Sequence, residues 1–266
     1  MKTRTAAILT LLLALALSSS GSAQTAPANP AQLAAITERG RRLEAYDQAA
    51  WHGTDAARAI AGPDRAGLKY FIARRTPTGW DVDFGDLRAD GTAFLTVLEA
   101  TSADGLHFTA QRFTPARADT GFLVTAANAI AVTEGSFRPI AQRRYNTAVL
   151  PNDDGTAYVY FYPAQTVSEI FPLGGDERYK VSADGKTILE DHRMHQIILD
   201  VAQSAPVGTT AVAGWHTDIF SNVPEDTDVF HVLARTPPTP DYVGAQGQMY
   251  KIAIDGTITY QGAAKQ

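Results

Sequence analysis

Six histidines and no cysteine set the chemistry open to this chain. Thiol nucleophiles, cysteine-held zinc and iron–sulfur clusters are excluded, so any metal must be held by His, Asp or Glu. The densest run of such side chains is Gly214-Trp215-His216-Thr217-Asp218, followed by Val223-Pro224-Glu225-Asp226-Thr227-Asp228-Val229-Phe230-His231. On a strand, His216 and Asp218 project to the same face. Asp226 and Asp228 can turn back toward them from the following loop. One imidazole and nearby carboxylates at a strand end can hold zinc with a water in the open position. The candidate metal ligands are therefore His216, Asp228, Asp218 and Asp226.

The other histidines offer less. His192 and His195 in Asp191-His192-Arg193-Met194-His195 share a face only on a helix or turn. The preceding residues read as strand, so the two are expected unpaired and partly exposed. A zinc-protease helix would need His-Glu-x-x-His, which is absent. His52 lies one turn from Asp55, where a helix-end hydrogen bond suffices to explain it. His107, between Leu106 and Phe108, reads as structural. No Gly-x-Ser-x-Gly elbow, Walker loop or Gly-x-Gly-x-x-Gly turn occurs. No spacing supports a serine nucleophile, and the catalytic residues stay unassigned.

Residues 214–260 resemble the JAB/MPN-type metallopeptidase fold. That family carries His-x-His-Pro at a strand end and, after a loop, Ser-x-x-Asp opening a helix. Gly214-Trp215-His216-Thr217-Asp218 looks like the first part and Pro224-Glu225-Asp226-Thr227-Asp228 like the second. Pro240-Asp241-Tyr242-Val243 and the stretch from Met249 to Gly256 are similar to closing strands and their turn. The resemblance implies zinc on His216 and Asp228, with an upstream glutamate as general base: Glu134, Glu169 or Glu190. Asp218 stands where the family has its second histidine, no proline follows, and Glu225 stands where it has serine. The stretch from Asp228 to Arg235 reads as a strand. The departures imply a member without catalysis.

The elements that must position these residues fall into an α+β pattern, mainly antiparallel sheet. A helix is expected from Ala31 to Ala61, broken near His52–Thr54 by Gly53. Short aromatic and β-branched runs follow: Lys69–Arg75, Trp80–Phe84, Ala93–Glu99 and Leu106–Phe113. Asp-Gly turns separate several of them, since glycine reaches positive φ without strain. Ala-rich Arg117–Val132 reads as a central helix on the sheet. Further strands are expected at Tyr145–Leu150, Ala157–Pro163, Arg178–Ser182, Thr187–Glu190, Thr210–Trp215, Gln248–Ile254 and Thr257–Tyr260. Met194–Val201 fits either strand or helix. Gly174-Gly175 reads as a turn. Tyr158, Tyr160 and Tyr162 share one strand face, which is either a binding platform or a face covered by the N-terminal helix. The Asp-Gly turns at 90–91, 184–185 and 255–256 reflect hairpin chemistry rather than an internal repeat.

Residues 1–23 have the form of a secretory signal peptide. Lys2 and Arg4 precede an apolar run from Ala6 to Leu17, and Ser18 to Ala23 are all small. The run is too short for a membrane span, which needs ~20 residues. Cleavage is expected after Ala23, leaving a leader over 24–30 and one domain over 31–266, or two packed halves meeting near residue 140. The product is expected in the periplasm or outside the cell. The net charge is −5, and losing Lys2 and Arg4 makes it more acidic. That argues against nucleic acid, which demands a basic face. The reading is an exported, cysteine-free, non-enzymatic domain without a cofactor, binding an envelope protein, peptide or glycan. The alternative is a zinc-dependent hydrolase centred on His216 and Asp228.

Overall fold

The computed structural model describes residues 29–62, 67–202 and 208–264. The expected signal peptide, its cleavage point and nearly all of the leader lie outside these residues. Helix α1 (Pro30–Ala61) opens with the Asn29 side chain accepting from the Gln32 amide and proline in its first turn. The break expected near His52–Thr54 is absent. Gly53 is a packing residue instead: a Cβ there would stand 2.6 Å from Val82 Cγ2. Strands β1 (Tyr70–Thr76), β2 (Gly79–Leu87), β3 (Phe94–Ser102) and β4 (Thr109–Asp119) form an antiparallel meander in sequence order. The central helix starts later than expected, as α2 (Phe122–Ser136). Asp119 decides the boundary, its Oδ1 accepting from the Gly121 and Leu123 amides.

The next strands are β5 (Tyr145–Pro151), β6 (Ala157–Pro163), β7 (Ile170–Gly174), β8 (Glu177–Val181), β9 (Ile188–Arg193) and β10 (Ile198–Ala202). A second sheet has the order β5-β6-β8-β9, and β7 pairs with β10 in a two-stranded ribbon. β7 runs up to Gly174, where the sequence pattern points to a turn. Its Pro172 is tolerated because a ribbon leaves one edge free of ladder bonds.

The C-terminal part holds β11 (Gly214–Asp218), α3 (Asp226–Ala234), β12 (Asp241–Ala245), β13 (Gln248–Ile252) and β14 (Ile258–Ala263), with sheet order β11-β12-β13-β14. The strand expected over Thr210–Trp215 begins only at Gly214. The strand expected from Asp228 to Arg235 is the helix α3. Glu225 and Asp228 form a capping box there, each side chain accepting from the other's backbone amide. That local closure outweighs the β-branched and aromatic content of Val229, Phe230 and Val232. β11 and β12 run parallel, with α3 between them in sequence.

The β layer carries a core on each face. On one side of the β layer, Ile72, Phe94, Val159, Phe161 and Tyr179 pack on α2. On the other, Ala73, Val82, Ala100, Leu150, Tyr160 and Tyr162 pack with Leu43, Tyr46 and Ala50 of α1. Alternation along β6 thus serves two helices, and the tyrosine face is covered: the Tyr162 hydroxyl donates to Asp47 of α1 at 2.7 Å. The start of α1, through Leu33 and Ile36, packs instead with Val229 and Val232 of α3 and with Val243, Tyr250 and Ile252. No helix among the described residues is long and apolar enough to cross a membrane.

Candidate metal centre

His216 sits in β11 with its ring buried, as strand alternation places it opposite exposed Trp215 and Thr217. Its Nε2 lies 2.9 Å from Asp228 Oδ1. Asp228 is the third residue of α3 and has no exposed surface, and its Oδ2 accepts from the Glu225 amide at 2.7 Å. The capping box therefore aims the other carboxylate oxygen at β11. Sequence reading paired these two residues, and the structure brings them together.

The third member is His195, which was expected to be partly exposed. It is buried, just past the end of β9. Its Nε2 reaches to 3.0 Å from the same Asp228 Oδ1. This approach is too far off axis for a hydrogen bond, and His195 Nε2 is left without a hydrogen-bond partner. The Met194 amide donates to the Asp176 carbonyl, and His195 Nδ1 lies 2.7 Å from Asp176 Oδ1. Gly174, at φ +85°, makes room: a Cβ there would stand 3.1 Å from His195 Cβ and 2.5 Å from the Ile197 carbonyl. One ligand atom from each of His195, His216 and Asp228 lies within 4.8 Å of the others.

A ring of further charge surrounds the three. His216 Nδ1 faces Asp241 Oδ2 at 3.6 Å, and Arg235 Nη2 approaches the same oxygen at 3.5 Å. Gly214 is required beside them, since a Cβ would stand 1.6 Å from Asp241 Oδ1. Burial alone would lower both imidazoles. The carboxylates outweigh it, raising His216 to about 9 through Asp228 and Asp241, and His195 well above its usual range through Asp176 and Asp228. The two imidazoles in turn hold Asp228 well below the usual carboxylate range despite its burial. His231, buried beside Arg235 at 2.6 Å, is pushed well down by burial and by that arginine. A small cavity lined by Tyr162, Pro172, Asp176, Thr227, Phe230 and His231 reaches Asp176, with room for about one water.

The other candidates divide. Asp218 is buried near the three, outside the ligand triangle. Asp226 points elsewhere: it pairs with Arg39 at 2.8 Å, with Arg178, and accepts from the Tyr160 hydroxyl at 2.9 Å. Those partners make it a tie between α1, β6, β8 and α3, outside the three-residue cluster. Of the proposed upstream glutamates, Glu134 faces Lys69 at 3.8 Å, Glu169 accepts from Ser168, and Glu190 is exposed on β9. The glutamate at the cluster is Glu225, buried and bonded at 3.0 Å to His192. His52 stacks on Trp51, and His107 pairs with Asp104 on the surface.

Carboxylates thus outnumber fixed cations around two imidazole nitrogens that converge on one oxygen. No protein-family model, curated protein or solved structure matches the chain.

Proposed function

We propose that His195, His216 and Asp228 hold a divalent transition ion, with zinc the best match to the donors, and that the protein is an exported metal-dependent hydrolase acting on an amide bond. The observation that carries the reading is the convergence of both Nε2 atoms on Asp228 Oδ1, at 3.0 and 2.9 Å. His195 Nε2 comes that close without aiming at the oxygen. A shared proton is poorly served by that geometry, and a cation off the N···O line is well served. Two imidazoles and one carboxylate are the donor count of hydrolytic zinc sites. Asp176 bonds the outer nitrogen of His195, as such sites require to fix ring orientation and tautomer, and Asp241 stands 3.6 Å behind that of His216. The helix opening at Glu225-x-x-Asp228 adds to the likeness with JAB/MPN-type metallopeptidases, whose Ser-x-x-Asp also opens a helix. The leader, with its positive start, short apolar run and small exit, supports export.

A bound ion would polarise a carbonyl and make water acidic enough to attack at neutral pH. The chain's own part is orientation and charge. Asp176 fixes the His195 ring, Asp241 places a negative charge 3.6 Å from His216 Nδ1, and the amide of Glu225 fixes Asp228. Burial of the three side chains at 8, 5 and 0% exposure favours a second reading. In it the ion is a closed staple between β9, β11 and α3, within a non-enzymatic domain that binds an envelope protein, peptide or glycan.

The test is elemental analysis of residues 24–266, purified without a histidine tag, for wild type, His195→Ala and His216→Ala. One zinc per chain in wild type, lost in both variants, supports the ion. Amide hydrolysis abolished by a chelator and restored by zinc then selects the hydrolase. Zinc that raises the melting temperature without any hydrolysis selects the staple. No metal in wild type, and no melting shift on adding zinc, overturns both.

A further inference from the structure

Asp218 is a buried carboxylate that the fold leaves half used. Its Oδ1 accepts from the Phe220 amide at 3.0 Å and the Ser221 amide at 3.3 Å, closing the turn after β11. Its Oδ2 has no partner, and the residue is only 3% exposed. An unpaired buried carboxylate oxygen is among the costliest features a fold can keep. Strand alternation places Asp218 on the face of His216, and its charge is felt by Asp228, Glu225 and His195. No arginine or lysine pairs with it among the described residues, in contrast to Asp226 with its two arginines.

Resting on the ion reading above, we propose that Asp218 Oδ2 serves the fourth position of the ion held by His195, His216 and Asp228, accepting a hydrogen bond from the ligand that fills it. Three protein donors leave one tetrahedral position for a non-protein ligand. That ligand carries a proton when it is water, and needs an acceptor on the protein side. Asp218 is buried, outside the triangle of direct donors, and fixed through its other oxygen, so it suits that outer role. It is a positioning residue. Its unpartnered oxygen is the stability cost expected of a group kept for a ligand rather than for the fold.

The test uses Asp218→Asn, which retains the oxygen that closes the turn and removes the charge. Zinc affinity is measured by competition with a chromophoric chelator, and melting is followed on the metal-free protein. The expected result is one zinc per chain in both proteins and a 10- to 100-fold weaker affinity in the variant, the order seen when outer-shell partners are removed. Melting of the metal-free variant should rise by ~2–4 °C, since a buried unpaired charge has gone. Asp218→Ala should lose affinity equally but melt lower, because it also drops the Phe220 and Ser221 contacts. Equal zinc affinity in wild type and Asp218→Asn overturns the role of Asp218 and leaves the ion in place. A metal-free Asp218→Asn that melts below wild type makes Asp218 structural and overturns it too. A wild type that binds no zinc overturns the ion reading itself.

Discussion

Asp83 shows how a single buried acid couples this fold to pH away from the candidate metal site. It lies in β2 without exposed surface, and burial lifts its carboxyl to about 6, with Arg74 and Arg117 pulling down and Glu99 pushing up. The folded value exceeds the ordinary one near 3.8, so the folded state binds this proton more tightly. The contribution is fully present below pH ~4 and is lost as pH rises through ~6. Melting of wild type and Asp83→Asn from pH 4 to 7 should show the wild-type advantage shrinking across that window. A constant difference would contradict it. The same scale explains why His195 was missed. The spacing of His192 and His195 bears only on whether the two face each other. The residues they meet are Glu225, 33 residues from His192, Asp176 between β7 and β8, and Asp228 of α3. Nothing in a three-residue spacing reports a contact made by a loop folding over a distant helix. His216 and Asp228 were legible because strand alternation and a short following loop are local facts.

Among the elements, α1 and α3 lie so close that one glycine decides their spacing. A Cβ on Gly40 would stand 2.4 Å from Val229 Cβ and 2.7 Å from the Asp226 carbonyl. Gly40→Ala should therefore cost ~1–3 kcal/mol by overpacking. Gly135→Ala in α2, where a Cβ meets nothing within 4 Å, is the control and should be neutral or stabilising by ~0.5–1 kcal/mol. Denaturant melts of both variants check this, and equal effects would show that the α1–α3 seat is not tight. The hairpins were readable because each turn closes itself: Asp90, Asp154, Asp184 and Asp255 each accept from the amide two residues on. α3 was not readable, because its cap is Glu225 with Asp228 in place of a serine or threonine, and its body is rich in residues that favour strands. β7 was hidden by Pro172 and Gly174.

At the scale of the molecule, α1 and α2 clasp a β layer, and the C-terminal sheet attaches through α3 and the start of α1. That plan was legible as α+β from composition and turns, while the double use of β6 by two helices needed the tertiary structure. The proposed export predicts a mature N-terminus at Gln24, read by intact mass or N-terminal sequencing of protein recovered outside the cytoplasm. Full-length chain retained in the cytoplasm would contradict it.

The seat of α1 carries a consequence for the order of events in folding. Thr37 donates to the Gly256 carbonyl across 219 positions of sequence, Arg41 to the Asp255 carbonyl across 214, and Arg39 to Asp226 across 187. The front of the first helix thus finds several of its polar anchors among residues 226–256, far along the chain. Contacts of such separation are closed late and slowly, because the intervening chain must be gathered first. Until then Leu33 and Ile36 at the start of α1 have no apolar partner, since theirs all lie at residue 223 and beyond. Those anchors stay unmade until residues 226–256 have been synthesised, so the front of α1 is among the later parts of the fold to close.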